Sequence, residues 1–152
     1  MKAGMASLLF AGVIFFVLTA QAGSDSRYIA VSDTEMNHSD AVKWCAAKGG
    51  RLPLVDGKSS SSYSEKKTAF IDGIGSVNKK PWNTPWSKTG LPEGLYWTGT
   101  ASAVAPGPGY SLVVSGAKGV VIIVSLPKSN SHRAFCVPYG IDKGLKNSAQ
   151  TK

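Results

Sequence analysis

Few residues in this 152-residue chain could carry out chemistry, and their types limit its possible functions. The chain has two histidines, His38 and His132, and two cysteines, Cys45 and Cys136. A zinc site needs three or four such ligands, so the two histidines cannot form one if the cysteines are bonded to each other. We therefore expect no metal site and no cofactor.

The sequence contains no clear motif for nucleophilic or acid–base catalysis. No G-x-S-x-G elbow is present, and the serine-rich segment 58–64 has no neighbouring histidine to activate a hydroxyl. Phosphate-loop and dinucleotide fingerprints are also absent. The acidic residues could supply a carboxylate pair for glycoside hydrolysis, but their spacing singles out no two of them. They are Asp33, Glu35, Asp40, Asp56, Glu65, Asp72 and Glu93. We expect a protein that is not an enzyme.

The first 22 residues have the order of a secretory signal peptide. Lys2 supplies the positive charge, the run from Leu8 to Leu18 is apolar, and Ala20-Gln21-Ala22 is a small-x-small cleavage site. The alternative is a membrane anchor, but a span needs about 20 apolar residues. We expect cleavage after Ala22, no transmembrane segment, and a secreted, periplasmic or cell-surface protein.

Export bears on the two cysteines. In an oxidising compartment two lone cysteines usually pair, which predicts a Cys45–Cys136 disulfide. Chain-entropy arithmetic gives so long a loop roughly 4 to 5 kcal/mol as an upper figure. The alternative is two buried free thiols.

Two tryptophans are the first candidates for ligand binding. Trp82 and Trp86 lie in a segment rich in Pro, Asn, Thr and Ser, and a flat indole can stack on a sugar ring or anchor a protein partner. The alternative is that one or both fill the space beneath this segment. Trp44 and Trp97 are expected to be structural.

A second group of candidates lies before the last predicted strand. Lys128, Asn130, His132 and Arg133 could hold a sulfate or a carboxylate, since arginine binds such groups with two parallel hydrogen bonds. Tyr110 follows a Gly/Pro-rich loop and is expected to line the same face. The alternative for this group is an ordinary solvated loop.

The net charge of +8 favours acidic partners, such as sulfated or sialylated glycans or anionic lipid. Simple solubility is the alternative. The basic residues are scattered along the chain, so no dedicated nucleic-acid motif is visible.

The first half of the mature chain is predicted to contain two helices. A short β-prone run, 27–31, precedes a helix that is capped by Ser39 or Asp40, continues through Lys48, and stops at Gly49-Gly50. A capping box at 62–65 predicts a second helix, Lys66 to Ile71, with Gly73 as its stop. Residues 75–94 read as irregular.

Strand signals dominate the second half. They fall at 95–100, 110–115, 120–126 and 133–138, with a hairpin through Gly116 to Gly119. Val120 to Val124 would aggregate if exposed, which favours a central strand. Two helices followed by strands indicate an α+β domain over residues 23–138, with a polar tail at 139–152.

Three segments carry a family resemblance. They are Ala41 to Pro53 (A-x-x-W-C-x-x-x-G-G-R-L-P), Tyr96 to Thr100 (YWTGT) and Arg133 to Val137 (RAFCV). In this order they resemble the first helix, the aromatic strand and the closing strand of bacterial C-type lectin-like domains, as in intimin, invasin and collagen-like adhesins. The resemblance covers residues 28–138. It implies a Cys45–Cys136 disulfide and two helices packed on a small, mainly antiparallel sheet with a long irregular loop region.

This sequence lacks the calcium ligands of the sugar-binding animal members of that family. Their Glu-Pro-Asn or Gln-Pro-Asp and Trp-Asn-Asp triplets are missing, and residues 100–138 contain no acidic side chain. We therefore predict a secreted, adhesin-like recognition protein that binds a cell-surface glycan or a host or envelope protein without calcium. The alternative is a structural or accessory subunit of an envelope, pilus or toxin assembly.

Overall fold

The computed structural model of the chain describes residues 27–61, 66–103 and 109–140. Strands hold 42% and helices 16% of the structure, which makes the fold mainly β. The expectation of an α+β fold with two helices packed on a sheet is therefore wrong. In this part of the chain one α-helix accompanies three small sheets.

The strands are short except in the second half of the domain. In chain order the elements are β1 (Ala30–Val31), α1 (His38–Ala47), β2 (Gly50–Arg51), β3 (Ser60–Ser61), β4 (Thr68–Ile71), β5 (Gly75–Asn78), β6 (Leu95–Ser102), β7 (Tyr110–Ser115), β8 (Ile122–Pro127) and β9 (Phe135–Pro138). Two short 3-10 turns, Trp86–Thr89 and Ala117–Gly119, precede β6 and β8.

Helix α1 lies where the sequence predicted a helix, but it begins earlier. Its N-cap is Asn37, whose side chain accepts the backbone N–H of Asp40 at 3.0 Å, so the predicted caps Ser39 and Asp40 lie inside the first turn. The helix ends before Gly49, which has a φ of 80° that glycine adopts without strain. Cys45 is fully buried on the core-facing side, as predicted.

Strand β9 is the centre of a three-stranded sheet, with β1 and β2 antiparallel on either side of it. Cys136 on β9 lies opposite Ala30 and is bonded to Cys45 on α1. The predicted disulfide is confirmed. It joins residues 91 positions apart and ties the helix to the last strand.

The central sheet has the order β3-β6-β7-β8. Strands β6, β7 and β8 are antiparallel neighbours, and β3 adds in parallel to the end of β6. The predicted hairpin between β7 and β8 is confirmed, and its turn places Lys118 and Gly119 at φ angles of 62° and 70°. Residues 110–115 form β7 with the predicted bounds.

Strand β8 lies at the edge of that sheet, so the prediction of a central strand for Val120 to Val124 is wrong. Before β8 begins, the backbone carbonyl of Thr84 accepts the N–H of Val121 at 2.8 Å. The run is apolar because its side chains enter two cores: Val121 and Ile123 belong to one, and Val124 packs on the other. Burial of both faces explains an apolar run as well as a central position does.

The predicted second helix is a β-hairpin. Its capping box at 62–65 lies outside the described residues, but Thr68–Ile71 forms β4 and pairs with β5. Ala69 and Ile71 are buried while Thr68 is exposed, which is the alternation of a strand. Gly73, with a φ of 76°, makes the hairpin turn instead of ending a helix. The strand preference of the Thr-Ala-Phe-Ile run was stronger than the helix preference that the capping box indicated.

The central sheet separates two cores because side chains alternate along its strands. Tyr96, Val114 and Ile123 point to the first core, where the β4–β5 hairpin packs. Trp97 and Val113 point to the second core, which contains the disulfide and Ala41 of α1. Strand β9 contributes to both, with Phe135 in the first and Cys136 in the second.

No helix among the described residues is long and apolar enough to cross a membrane. The predicted signal peptide, 1–22, and residues 141–152 of the predicted tail lie outside the described residues.

Candidate functional site

A small cleft with one aromatic side lies over the first core. Its floor consists of four buried side chains, and Trp82, Lys79 and Asp56 form its partly exposed rim. The floor residues are Val55, Ala69, Leu112 and Ile123. The cavity volume is about 20 Å³, enough for about one water molecule, so a ligand would lie on this cleft rather than fill it. An apolar floor beside an indole suits the flat face of a single sugar ring.

The segment that carries Trp82 is closed at its base by hydrogen bonds. The backbone N–H of Asn78 donates to Thr84 Oγ1 at 2.9 Å, and the Asn78 side-chain amide donates to Asn83 Oδ1 at 2.6 Å. Thr84 is anchored in turn to Val121, next to β8. Residues 79–83 therefore form a loop held at one end by β5 and at the other by Val121, which limits the positions that the indole can take.

Both signs of charge lie at the rim of the cleft. Asp56 is held by Phe70 through two hydrogen bonds, because its Oδ1 accepts the Phe70 N–H at 2.8 Å and its own N–H donates to the Phe70 carbonyl at 2.6 Å. The backbone N–H of Lys79 donates to the Lys67 carbonyl at 2.7 Å. A carboxylate and an ammonium group beside an indole can bind the hydroxyl, amide or acidic substituents of a ligand whose apolar face meets Trp82.

Trp86 is buried and is not among the residues that line the cleft. It is 7% exposed, its Nε1 donates to the Leu91 carbonyl at 2.9 Å, and its ring stacks on Tyr96 with centroids 6.0 Å apart. Gly116 lies directly against the indole. Trp86 fills the space beneath the 79–94 segment, which is the alternative that the sequence left open.

The segment Lys128 to Arg133 makes more backbone hydrogen bonds to the rest of the fold than a solvated loop would. The Lys128 N–H donates to the Gly109 carbonyl at 2.7 Å, and its carbonyl accepts the His38 N–H at 3.2 Å. Asn130 is exposed and its N–H closes a turn onto Pro127. Tyr110, partly exposed, begins β7 opposite Pro127.

His132 and Arg133 link the N-terminal segment to β6. His132 exchanges two backbone hydrogen bonds with Met36, at 2.9 and 3.0 Å. The Arg133 N–H donates to the Leu95 carbonyl at 3.0 Å, and the Arg133 carbonyl accepts from Trp97 at 2.9 Å. His132 is 7% exposed, so its side chain faces the interior. It is therefore not available to an anion bound at the surface of this segment.

The predicted binding residues do not form one surface. Trp82 packs against the first core, on the Leu112 and Ile123 face of the central sheet. His132 packs against Trp97, on the opposite face. Sequence reasoning therefore named one residue of the cleft and missed the other six, because no local pattern shows which distant strands and loops meet Trp82.

The two histidines, far apart in sequence, contact the same buried indole. The His38 ring meets Trp97 edge-on with centroids 5.2 Å apart and an interplanar angle of 89°. The His132 ring is tilted at 55° with centroids 4.7 Å apart. Trp97 is fully buried and its Nε1 donates to the Met36 carbonyl at 2.7 Å. We call these three side chains the His–Trp–His stack.

Both histidine rings are neutral at pH 7 for a physical reason. Burial lowers the pKa of His38 below the ordinary value of 6.5, and the Lys128 cation lowers it further, whereas the hydrogen bond to the Thr98 carbonyl acts in the opposite direction. Burial also lowers the pKa of His132, against the opposing effect of Glu35. The stack is therefore an uncharged cluster under neutral conditions.

Among residues 27–61, 66–103 and 109–140, no group of three or more His, Cys, Asp or Glu side chains could hold a metal ion. No family model, curated protein or solved structure matches the chain. The functional assignment must therefore be drawn from the cleft and its surroundings.

Proposed function

We propose that this chain is an exported, non-catalytic recognition protein that binds a cell-surface glycan without calcium, in the manner of an adhesin. The observation that carries the proposal is the Trp82 cleft. A partly exposed indole stands there beside an apolar floor on a loop that is hydrogen-bonded at both ends. Aromatic faces bind sugar rings through their apolar C–H surface, and charged rim groups select the substituents.

The setting of the cleft supports this assignment. The Cys45–Cys136 disulfide is consistent with an extracellular or periplasmic location, where the predicted signal peptide over residues 1–22 would direct the protein. A net charge of +8 favours glycans with acidic substituents. The resemblance of three ordered segments to bacterial C-type lectin-like domains also supports a recognition role, although it does not extend to a two-helix fold.

The test is binding of the purified protein to a glycan array and to whole cells, with EDTA and with added calcium. We expect binding that EDTA leaves unchanged and that Trp82→Ala reduces by about fivefold or more, since one stacked aromatic side chain contributes roughly 1 to 3 kcal/mol. The matched control is Trp44→Ala. Trp44 is also partly buried, but it packs against the second core beneath Lys48. It should retain binding.

Each outcome has a distinct meaning. Equal loss in the two variants, with unchanged far-UV circular dichroism, would place the site elsewhere. Absence of binding to every glycan and cell type would remove the proposal. A protein that co-purifies with the wild-type chain and with Trp82→Ala alike, seen as a larger mass by light scattering, would favour the alternative of an accessory subunit.

A further inference from the structure

The His–Trp–His stack lies at a seam between two segments of the chain. Residues 35–38 form one side of the seam and residues 128–133 the other, and Trp97 of β6 is the surface on which both rest. Three backbone hydrogen bonds cross the seam: two join Met36 and His132, and one runs from His38 to Lys128. A fourth hydrogen bond is donated by the Trp97 indole N–H, and the Met36 carbonyl accepts it.

His132 brings an unsatisfied nitrogen to this seam. Its Nε2 is buried and has no hydrogen-bond partner among the described residues, and the whole side chain is 7% exposed. A neutral imidazole tolerates such a position because it carries no charge. An imidazolium would place a charged N–H where no acceptor and little water can reach it, which is costly.

His38 is constrained in a different way. Its Nε2 lies 3.0 Å from the Thr98 carbonyl, which can only accept, so Nε2 carries the proton of the neutral ring. His38 is also the first residue of α1, where the positive end of the helix dipole disfavours a cation. An indole face attracts one cation, but two imidazolium rings on the same indole repel each other.

The charged groups around the stack have opposing effects. From the segment before α1, the Glu35 carboxylate favours a protonated His132. From the 128–133 segment, Lys128 disfavours a protonated His38, and Arg133 follows His132 directly. In the first turns of α1, Asp40 is paired with Lys43. Strand β6 contributes the Trp97 ring and the Thr98 carbonyl, neither of which carries a charge.

We propose that the His–Trp–His stack is an acid-released latch, which holds residues 35–38 against residues 128–133 at neutral pH and lets them part when both imidazoles take up protons. The rest of the fold stays closed on acidification, because the Cys45–Cys136 disulfide and the β6–β7–β8 sheet do not depend on the stack. The consequence is that the side of the 128–133 segment facing residues 35–38 is covered at neutral pH and exposed at acid pH. The bonds from Lys128 to Gly109 and between Arg133 and β6 still hold the two ends of the segment.

The test is a nuclear magnetic resonance titration of the isotopically labelled protein from pH 8 to pH 4.5. We expect both imidazoles to titrate below an unstructured histidine reference. The Trp97 indole N–H should lose protection from hydrogen exchange over the same pH range, by up to about tenfold per pH unit for each proton taken up. Amides of β7, such as that of Val113, should remain protected.

Two charge variants test the sign of the effect. Glu35→Gln removes the carboxylate that favours protonated His132, so the latch should release at lower pH. Lys128→Gln removes the cation that disfavours protonated His38, so the release should move to higher pH. Lys88→Gln, an exposed lysine in the 3-10 turn after Pro85, is the control and should leave the release pH unchanged.

The latch can fail in two ways. Imidazoles that titrate at or above the reference value would overturn it, as would a release pH that is the same in Glu35→Gln, Lys128→Gln and Lys88→Gln. The double variant His38→Gln/His132→Gln should abolish the pH response if it folds. If it does not fold, the two charge variants decide the question, since their side chains lie outside the core.

Discussion

Arg51 donates a hydrogen bond from Nη1 to Asp72 Oδ2 at 2.8 Å, and the carboxylate it meets is 2% exposed. The same Asp72 oxygen accepts the backbone N–H of Leu54 at 2.9 Å. Arg51 ends β2 and Asp72 follows β4. This ion pair therefore joins the β4–β5 hairpin to the three-stranded sheet of β1, β9 and β2. Ala69, in the floor of the Trp82 cleft, lies on that hairpin.

Asp72→Ala should therefore destabilise the fold strongly. The substitution removes the charge-assisted hydrogen bond from Arg51 and the acceptor of the Leu54 N–H, which lowers the free energy of unfolding by about 2 to 4 kcal/mol. Guanidinium denaturation followed by tryptophan fluorescence measures it. Lys43→Ala is the control: its pair with Asp40 spans 3.9 Å, with side chains 77% and 57% exposed. Its effect should stay below about 1 kcal/mol. Equal effects in the two variants would contradict this role for Arg51 and Asp72.

Loss of the disulfide should lower stability without abolishing the sheet. In Cys45→Ala/Cys136→Ala the unfolded chain regains the freedom of a long loop, at a cost of about 2 to 5 kcal/mol. The same urea midpoint shift should appear when the wild-type protein is unfolded with reductant. Mass spectrometry that found both thiols free in the exported protein would contradict the pairing.

Gly116→Ala tests the position of Trp86. A Cβ at Gly116 would lie 2.8 Å from an indole carbon, closer than real contacts, so the ring must shift from its stack on Tyr96. We expect a loss of about 1 to 3 kcal/mol, the usual cost of overpacking. Gly109→Ala, where nothing lies within 4 Å of the added carbon, should change the melting temperature little. A neutral Gly116→Ala would mean that Trp86 is packed more loosely.

Stability should fall on mild acidification. Burial lowers the pKa values of His38 and His132 in the folded state below 6.5, so the unfolded chain binds more protons below that pH. Their contribution is therefore fully present above pH 6.5 and is lost as pH falls from there through the lowered folded-state values. Denaturation at pH 7.5, 6.5, 5.5 and 4.5 measures the slope. The slope should be flatter in His38→Gln/His132→Gln, and an unchanged slope would assign it to other groups.

Local patterns predicted much of the fold. The capped helix around Cys45, the β7–β8 hairpin and the positions of β6 and β9 follow from propensities, glycines and alternation within short windows. The second helix failed because a cap signal at 62–65 was weighed above the strand preference of residues 68–71, whose pairing with β5 depends on a turn at Gly73. The edge position of β8 failed because apolar content reports burial and not the number of neighbouring strands.

The sequence by itself determined that Cys45 and Cys136 would be joined and that a helix and a run of strands would flank them, since these depend on residue type and neighbours along the chain. Only the tertiary structure decided that Trp86 is buried while Trp82 borders a cleft, and that two histidines 94 positions apart rest on one indole. Such contacts are set by strand register and sheet order. A shift of one residue turns every side chain to the other face, and no local pattern specifies which face a distant segment will cover.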